Sequence, residues 1–206
     1  PQKGRFRQFW QFGVEVIGEK DPALDAQVIQ LAKMVMEDCG VFALTQVHIN
    51  NIGDFESRGK YIEALKNYYI GKERSMCEDC KKRLHGNTLR LLDCKSEDCK
   101  ILAELAPKID DYLSKESKEY HDKVLEYLEE LKIGYMKNPK LVRGLDYYNQ
   151  TVFEIVVRDG EGQQNSVCAG GRYDGLVELM GGAPNTPAVG FGMGLERLID
   201  LMKRES

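Results

Sequence analysis

Nothing in this 206-residue sequence is apolar for long enough to cross a bilayer, since no hydrophobic run approaches the roughly 20 residues a spanning helix needs. A basic stretch followed by an apolar one is also missing at the start, which argues against export and makes the cytoplasm the expected setting. There is no excess of positive charge. The 29 Lys and Arg stand against 33 Asp and Glu, a formal net charge of −4. That excludes a domain that holds nucleic acid by bulk electrostatics, although a local basic patch serves equally well on an acidic protein because salt screens distant charges. An initiator Met is lacking too. The chain opens on Pro1, in a charged segment that reads as the approach to a strand, and we expect a fragment of a longer protein.

What is present is ordinary for a globular chain, with 42% apolar and 30% charged residues. Between residues 4 and 18, Phe6, Trp10, Phe12, Val14 and Val16 alternate with Arg5, Arg7, Gln11, Gly13 and Glu15, the period of a half-buried strand. Asp21 followed by Pro22 is a helix start, Gly40 is a stop, and Leu24, Val28, Leu31 and Val35 give the apolar stripe between them. A short strand is expected at Leu44 to Ile49. Residues 54–137 are charged, helical in pattern and rich in cysteine, with Ser114 as a cap before a helix that buries Tyr120, Val124, Leu128 and Leu131 and ends at Gly134. Strand character resumes at Leu141 and is clearest from Thr151 to Val157. A turn around Asp159, Gly160 and Gly162 leads to a second strand ending near Cys168, and Ala169-Gly170-Gly171 then reads as the opening of a helix. Glycines at 190, 192 and 194 precede an amphipathic helix with Leu195, Leu198, Ile199 and Met202. Strands joined by hairpin-like turns, with helices kept apart, predict an α+β fold on an antiparallel sheet. The expected division is residues 1–53 and 138–206 as two parts of one core, and 54–137 as a helical insertion.

Four segments carry candidate chemistry. On the first strand, a rise of roughly 3.3 Å per residue puts Gln11 and Glu15 about 13 Å apart on the face that also holds Arg5 and Arg7. Arginines suit phosphate, and an amide with a carboxylate suits a small polar cation. A solvated strand face explains the same pattern. Leu141 to Tyr148 combines Arg143, able to stabilise charge on phosphorus, with Tyr147 and Tyr148, able to line a pocket for a planar ring. A polar turn with two core aromatics accounts for it as well. Cys168 to Leu176 holds paired glycines that let backbone approach a ligand, or that simply make a tight turn. It is neither a Walker loop nor a dinucleotide fingerprint. Ala188 to Leu198 offers a glycine-spaced strand followed by Arg197, which alone reads as a surface arginine.

Taken together, these segments resemble the class II aminoacyl-tRNA synthetases, and among them the histidyl-tRNA synthetase family. GRFRQFWQFGVEVIG is similar to the loop and second strand of motif 2, LVRGLDYYNQTVFE and CAGGRYDGL to the two histidine-specific signatures, and TPAVGFGMGLERL to motif 3. The resemblance implies that Gln11, Glu15, Tyr147, Tyr148, Gly170, Gly171, Arg172 and Tyr173 hold histidine. It implies that Arg143 acts catalytically between the histidine carboxylate and the α-phosphate, and that Arg5, Arg7 and Arg197 meet ATP. ATP with Mg²⁺, histidine and tRNA(His) are the implied substrates, and a homodimer is the implied assembly. Motif 1 (the usual dimer element), the first strand of motif 2, the upstream histidine loop and an anticodon-binding domain have no counterpart. The chain is therefore expected not to charge tRNA unaided, and to expose apolar surface that drives self-association.

Cys77-x2-Cys80 and Cys94-x4-Cys99 are spaced for a four-thiolate zinc site, with His85 between them as a substitute ligand. The second loop is longer than usual and the resemblance requires no metal, so four reduced cysteines in a helical insertion are preferred; cytosolic thiols seldom form disulfides. Two other functions fit parts of the chain. One is a non-catalytic histidine sensor of the same fold, such as the regulatory subunits of ATP phosphoribosyltransferase, against which the insertion, Arg143 and Arg197 argue. The other is a zinc-dependent nucleic-acid module, which leaves the glycine and arginine segments unexplained.

Overall fold

A computed structural model describes residues 7–158 and 165–205. Arg5, Phe6 and the turn expected at Asp159, Gly160 and Gly162 lie outside the described residues. The chain runs β1 (Gln11–Ile17), α1 (Pro22–Asp38), β2 (Thr45–Asn51), α2 (Phe55–Tyr69), α3 (Glu78–His85), α4 (Glu97–Glu104), α5 (Lys115–Glu130), β3 (Tyr135–Lys137), β4 (Asn149–Val157), β5 (Ser166–Arg172), α6 (Leu176–Leu179), β6 (Ala188–Gly194) and α7 (Leu195–Glu205). Among the described residues the strands form one six-stranded sheet in the order β1-β6-β5-β4-β2-β3. Every pairing is antiparallel except β2 with β3. The architecture is α+β, as expected, with one parallel pair at its edge. Among the described residues no helix is long and apolar enough to cross a membrane.

Local chemistry starts α1 where the sequence predicts. Asp21 is the N-cap, its Oδ1 accepting from the Ala23 N–H at 2.8 Å, and Pro22 needs no donor there. Gly40, at φ +73, turns the chain away after the last helical carbonyls. The buried face differs from the expected stripe. Of Leu24, Val28, Leu31 and Val35 only Val28 is buried; the others are half-buried or exposed. Asp25, Ala26, Ile29, Ala32 and Met36 complete the inward face. Ala26 and Ala32 let α1 sit close to its neighbours, and burying Val28, Ile29 and Met36 stabilises the contact by roughly 1.5–3 kcal/mol each.

Two buried clusters organise the molecule. The first joins α1 and α5 to the sheet through residues such as Ile29, Met36, Val47, Ile49, Leu128, Phe153, Ile155 and Phe191. The second lies among α2, α3, α4 and the chain leading into β4, with Tyr61, Leu65, Leu84, Leu91, Ile109, Leu141 and Val142. Helix α5 starts at the expected cap, Ser114 Oγ accepting from the Ser117 N–H at 3.1 Å. Its partner is not the cysteine-bearing block, however. Val124, Leu125 and Leu128 pack with α1, and β3 joins the sheet beside β2. Only the helices before Ser114 share the second cluster.

Three further expectations change. Ala169, Gly170 and Gly171 open no helix but continue β5 to Arg172, and the helix that follows is the single turn of α6. The sheet demands glycine at position 170, because a Cβ would come 2.1 Å from the Gly190 carbonyl oxygen of β6. On α7 the inward residues are Leu198 and Leu201, while Ile199 and Met202 are exposed. On β1, Val14 and Val16 reach the first cluster, but Phe12 is 40% exposed and Trp10, just before the strand, 67%.

Candidate active site

A cleft of roughly 610 Å³ opens over β1, β6 and β5, closed on one side by the segment between β3 and β4 and at one end by the start of α7. Its floor is made by missing side chains. The pairing sets Glu15 opposite Gly190 and Gln11 opposite Gly194. A Cβ at Gly190 would stand 1.7 Å from Glu15 Oε2, and one at Gly192 would stand 2.9 Å from Gln11 Nε2. The glycines of β6 thus let the Gln11 and Glu15 side chains lie flat across the neighbouring strand, where both line the cleft.

Glu15 is held from behind. The Tyr173 hydroxyl donates to its Oε2, and burial pushes that hydroxyl's pKa up, so it remains a donor. Tyr173 also anchors an aromatic cluster, its ring centroid 5.9 Å from Tyr147 and 6.1 Å from Tyr148, both near edge-on. Tyr147 and Tyr148 face the cleft, and burial pushes the Tyr147 hydroxyl up to about 12. Gly171 makes room for this wall, since a Cβ there would come 3.1 Å from Tyr148 Cδ1 and 2.4 Å from the Thr151 carbonyl oxygen.

Arg143 enters from the segment that Leu141 and Val142 anchor in the second cluster. Its Nη1 donates to Glu154 Oε1 of β4 at 2.5 Å, and its Cζ lies 5.7 Å from the Tyr148 ring centroid. Its Nε is buried and has no hydrogen-bond partner among the described residues. Burial pushes the Glu154 carboxyl above its ordinary range, and the Arg143 guanidinium pulls it back. Arg58 of α2 fastens the same segment, donating to the Tyr148 carbonyl at 2.7 Å with Asp146 3.7 Å away. At the far end Arg197 donates to the Ser166 carbonyl oxygen at 2.5 Å, and the Glu196 carboxylate accepts from the Trp10 N–H at 2.9 Å.

Gln11, Glu15, Arg143, Tyr147, Tyr148 and Arg197 therefore converge on one cleft, with Tyr173 immediately behind Glu15. The remaining candidates stand elsewhere. Gly170 and Gly171 shape β5 without lining the cleft, and Arg7 is exposed and takes no part in the lining. Arg172 is fully buried beneath the sheet, its Nη2 2.5 Å from Asp25 Oδ2 and its Nη1 3.0 Å from Asp174 Oδ1. Its guanidinium ties β5 to α1 and does not reach the cleft. Glu154, Glu196 and Cys168 on the lining, and Arg58 behind it, are functional candidates that only the structure brings to the cleft. Glu154 was open to detection, since a lone carboxylate inside the apolar strand Thr151–Val157 asks for a cation, and Arg143 lies just upstream.

A sheet whose glycine-floored face carries two arginines, a carboxylate–amide pair and a tyrosine wall defines a class II aminoacyl-tRNA synthetase core. The chain belongs to the histidyl-tRNA synthetase family, whose sequence model, described as Histidyl-tRNA synthetase, matches residues 1–198. It is 50% identical over 209 residues to the histidine–tRNA ligase of Bacillus subtilis (strain 168), an alignment covering 100% of this chain and 49% of that protein. The crystal structure of apo histidyl-tRNA synthetase from S. aureus is similar at TM-score 0.76 and 38% identity, over 97% of this chain and 48% of that one. A protein from Bacillus halodurans C described as an ATP phosphoribosyltransferase regulatory subunit/histidyl-tRNA synthetase shares the fold at TM-score 0.61 and 24% identity, over 94% of this chain and 53% of that one. The chain spans about half the length of the curated relatives it matches.

Proposed function

We propose that this cleft activates histidine with ATP and serves the charging of tRNA(His). The carrying observation is the meeting of Arg143, held by Glu154, with Gln11, Glu15 and the tyrosine wall on one face. In the first step a carboxylate oxygen of histidine attacks the α-phosphorus of Mg²⁺-bound ATP. The bond to the bridging oxygen breaks, and pyrophosphate leaves with that electron pair. The nucleophile is already ionised, so no general base is required. Arg143 meets the charge that builds on the α-phosphoryl oxygens, and Arg197 serves the phosphates at the other end. Glu15 and Gln11 fix the polar groups of histidine, and Tyr147 and Tyr148 flank its ring. In the second step a terminal adenosine hydroxyl of the tRNA attacks the activated carbonyl and AMP departs. Positioning and cationic stabilisation supply the rate.

The same reading gives the helices around the second cluster a part in gripping the acceptor stem, the family's homodimer as the working assembly, and the cytoplasm as the place of work. The test is histidine-dependent ATP–pyrophosphate exchange by a chimaera in which this chain replaces the matching segment of the B. subtilis relative. Exchange that disappears with Arg143→Ala supports the assignment. A folded chimaera that binds histidine but exchanges no pyrophosphate overturns it in favour of a histidine sensor.

A further inference from the structure

The cysteines of the insertion are spread along the sequence but not in space. Cys77 is the N-cap residue of α3, and Cys80 lies in its first turn. Cys99 holds the same place in α4, and Cys94 sits just ahead of the Ser96 N-cap. The two helices open on the same four residues, Glu78-Asp79-Cys80-Lys81 and Glu97-Asp98-Cys99-Lys100. In each the lysine pairs with the glutamate three residues back, at 2.6 Å. The two N-termini aim at one point, and all four Sγ atoms lie within 4.8 Å of one another.

We propose that Cys77, Cys80, Cys94 and Cys99 bind a zinc ion that holds the helical insertion together. Four sulfurs each about 2.3 Å from a tetrahedral zinc are about 3.8 Å apart. Cys77 Sγ and Cys94 Sγ stand 3.7 Å apart, and the remaining separations need only a small contraction. The distances do not suit disulfides, whose sulfurs are about 2.05 Å apart, and all four cysteines are free. Simple packing does not explain the geometry either. A reduced cysteine behaves as a small apolar side chain, yet Cys77 and Cys94 are only half-buried while their sulfurs still turn towards Cys80 and Cys99.

The surroundings suit bound thiolates. The Cys77 N–H donates to Cys99 Sγ at 3.3 Å, a bond that fixes the orientation of a metal-bound sulfur. Helix N-termini stabilise thiolate charge. An all-sulfur set selects a soft or borderline ion over magnesium or calcium. The longer Cys94–Cys99 loop, the sequence's argument against a metal, is taken up by the chain between Cys94 and Ser96, so Cys99 still enters from a first turn. His85 is not a member of the group.

The insertion also needs such a link. Its helices α3 and α4 have eight residues each, well below the roughly 12–15 at which isolated helices become marginally stable. The chain between them, residues 86–96, adds Leu89, Leu91 and Leu92 to the second cluster, and a metal cross-link is a common supplement to a core of this size.

The chain, produced without a histidine tag and purified under reducing conditions, is expected to carry about one zinc ion by elemental analysis. Cobalt exchanged into the same protein should give the intense sulfur-to-cobalt charge-transfer band and visible bands of a tetrahedral thiolate site. Cys80→Ser and Cys99→Ser should each lose the metal, while Cys39→Ser, on α1's C-cap, should keep it. Because a cysteine variant can fail to fold, the cobalt spectrum of the unaltered chain decides. A folded, fully reduced chain with no zinc and no charge-transfer band overturns the proposal, as does a disulfide within the group or iron bound in place of zinc.

Discussion

The Glu15 carboxylate lies where a side chain at position 190 would be, with Oε2 only 1.7 Å from the Cβ that Gly190 lacks. Tyr173 closes the arrangement by donating to the same oxygen. Glu15 is thus placed by an absence on β6 and a hydroxyl beyond β5. Glu15→Gln should weaken histidine binding by about 10–100-fold, the loss of one charge-assisted hydrogen bond. Tyr173→Phe, which frees Glu15 without removing it, should cost about fivefold. Gly190→Ala should do at least as much as Glu15→Gln and also lower stability, because its Cβ meets the Val14 carbonyl oxygen at 2.5 Å. Calorimetric titration with histidine, paired with thermal melts, separates the two effects.

The Arg143–Glu154 pair separates chemistry from binding. Arg143→Ala should slow pyrophosphate exchange by about 10²–10³-fold, the scale of losing one preorganised charge donor. Glu154→Gln should lower kcat by about tenfold while leaving KM for ATP near its original value, since it frees the guanidinium without touching substrate. Burial raises the Glu154 carboxyl, so its protonation should begin above the usual carboxylate range. Activity should therefore fall on acidification earlier than an ordinary glutamate would dictate. The pH profile of Glu154→Gln should lack that limb.

Arg172 should be a stability residue. Its partner Asp25 is fully buried, and Tyr120 donates to the same carboxylate at 2.9 Å. Arg172→Met should leave that charge uncompensated and cost about 3–5 kcal/mol. Adding Asp25→Asn should recover part of the loss. Histidine affinity of the folded fraction should not change, and denaturant melts alongside binding isotherms check both statements.

His121 gives the fold an acid sensitivity. Burial lowers its pKa to about 4 from the ordinary 6.5, with Lys137 adding to the effect. The unfolded chain therefore takes up a proton that the folded chain refuses. The stability tied to neutral His121 is complete above the unfolded value and is lost as pH falls from 6.5 towards 4. His121→Gln should flatten the stability curve in that window, by a few kcal/mol at most, in urea melts at stepped pH.

Legibility followed the range of the forces. Asp21, Pro22 and Gly40 mark α1 because caps act within a few residues of themselves. Ser114 marks α5 for the same reason. The partners of those helices could not be read, since the buried face of α1 includes Ala26 and Ala32 beside its larger apolar residues, and small residues carry little weight in an apolar stripe. The glycines at 170 and 171 look like a helix start because a turn and a crowded strand ask for the same residue; only β6 lying alongside decides between them. Arg143, Tyr147 and Tyr148 were legible as a dense polar and aromatic segment. Arg172 has the same composition and neighbourhood but serves the other face, because side chains in β5 alternate across the sheet. The convergence of the four cysteines depends on how α3 and α4 pack, which spacing alone does not encode.

The pairing of β1 with β6 has a consequence in time. These strands adjoin in the sheet although nearly the whole chain separates them in sequence. Closing so long a loop is entropically costly and slow. On a ribosome, the glycine floor is still inside the exit tunnel while β1, α1 and β2 already lie outside. A nascent chain therefore has Glu15 and Gln11 early but no surface to lay them on. The floor of the cleft is complete only once β6 has inserted between β1 and β5.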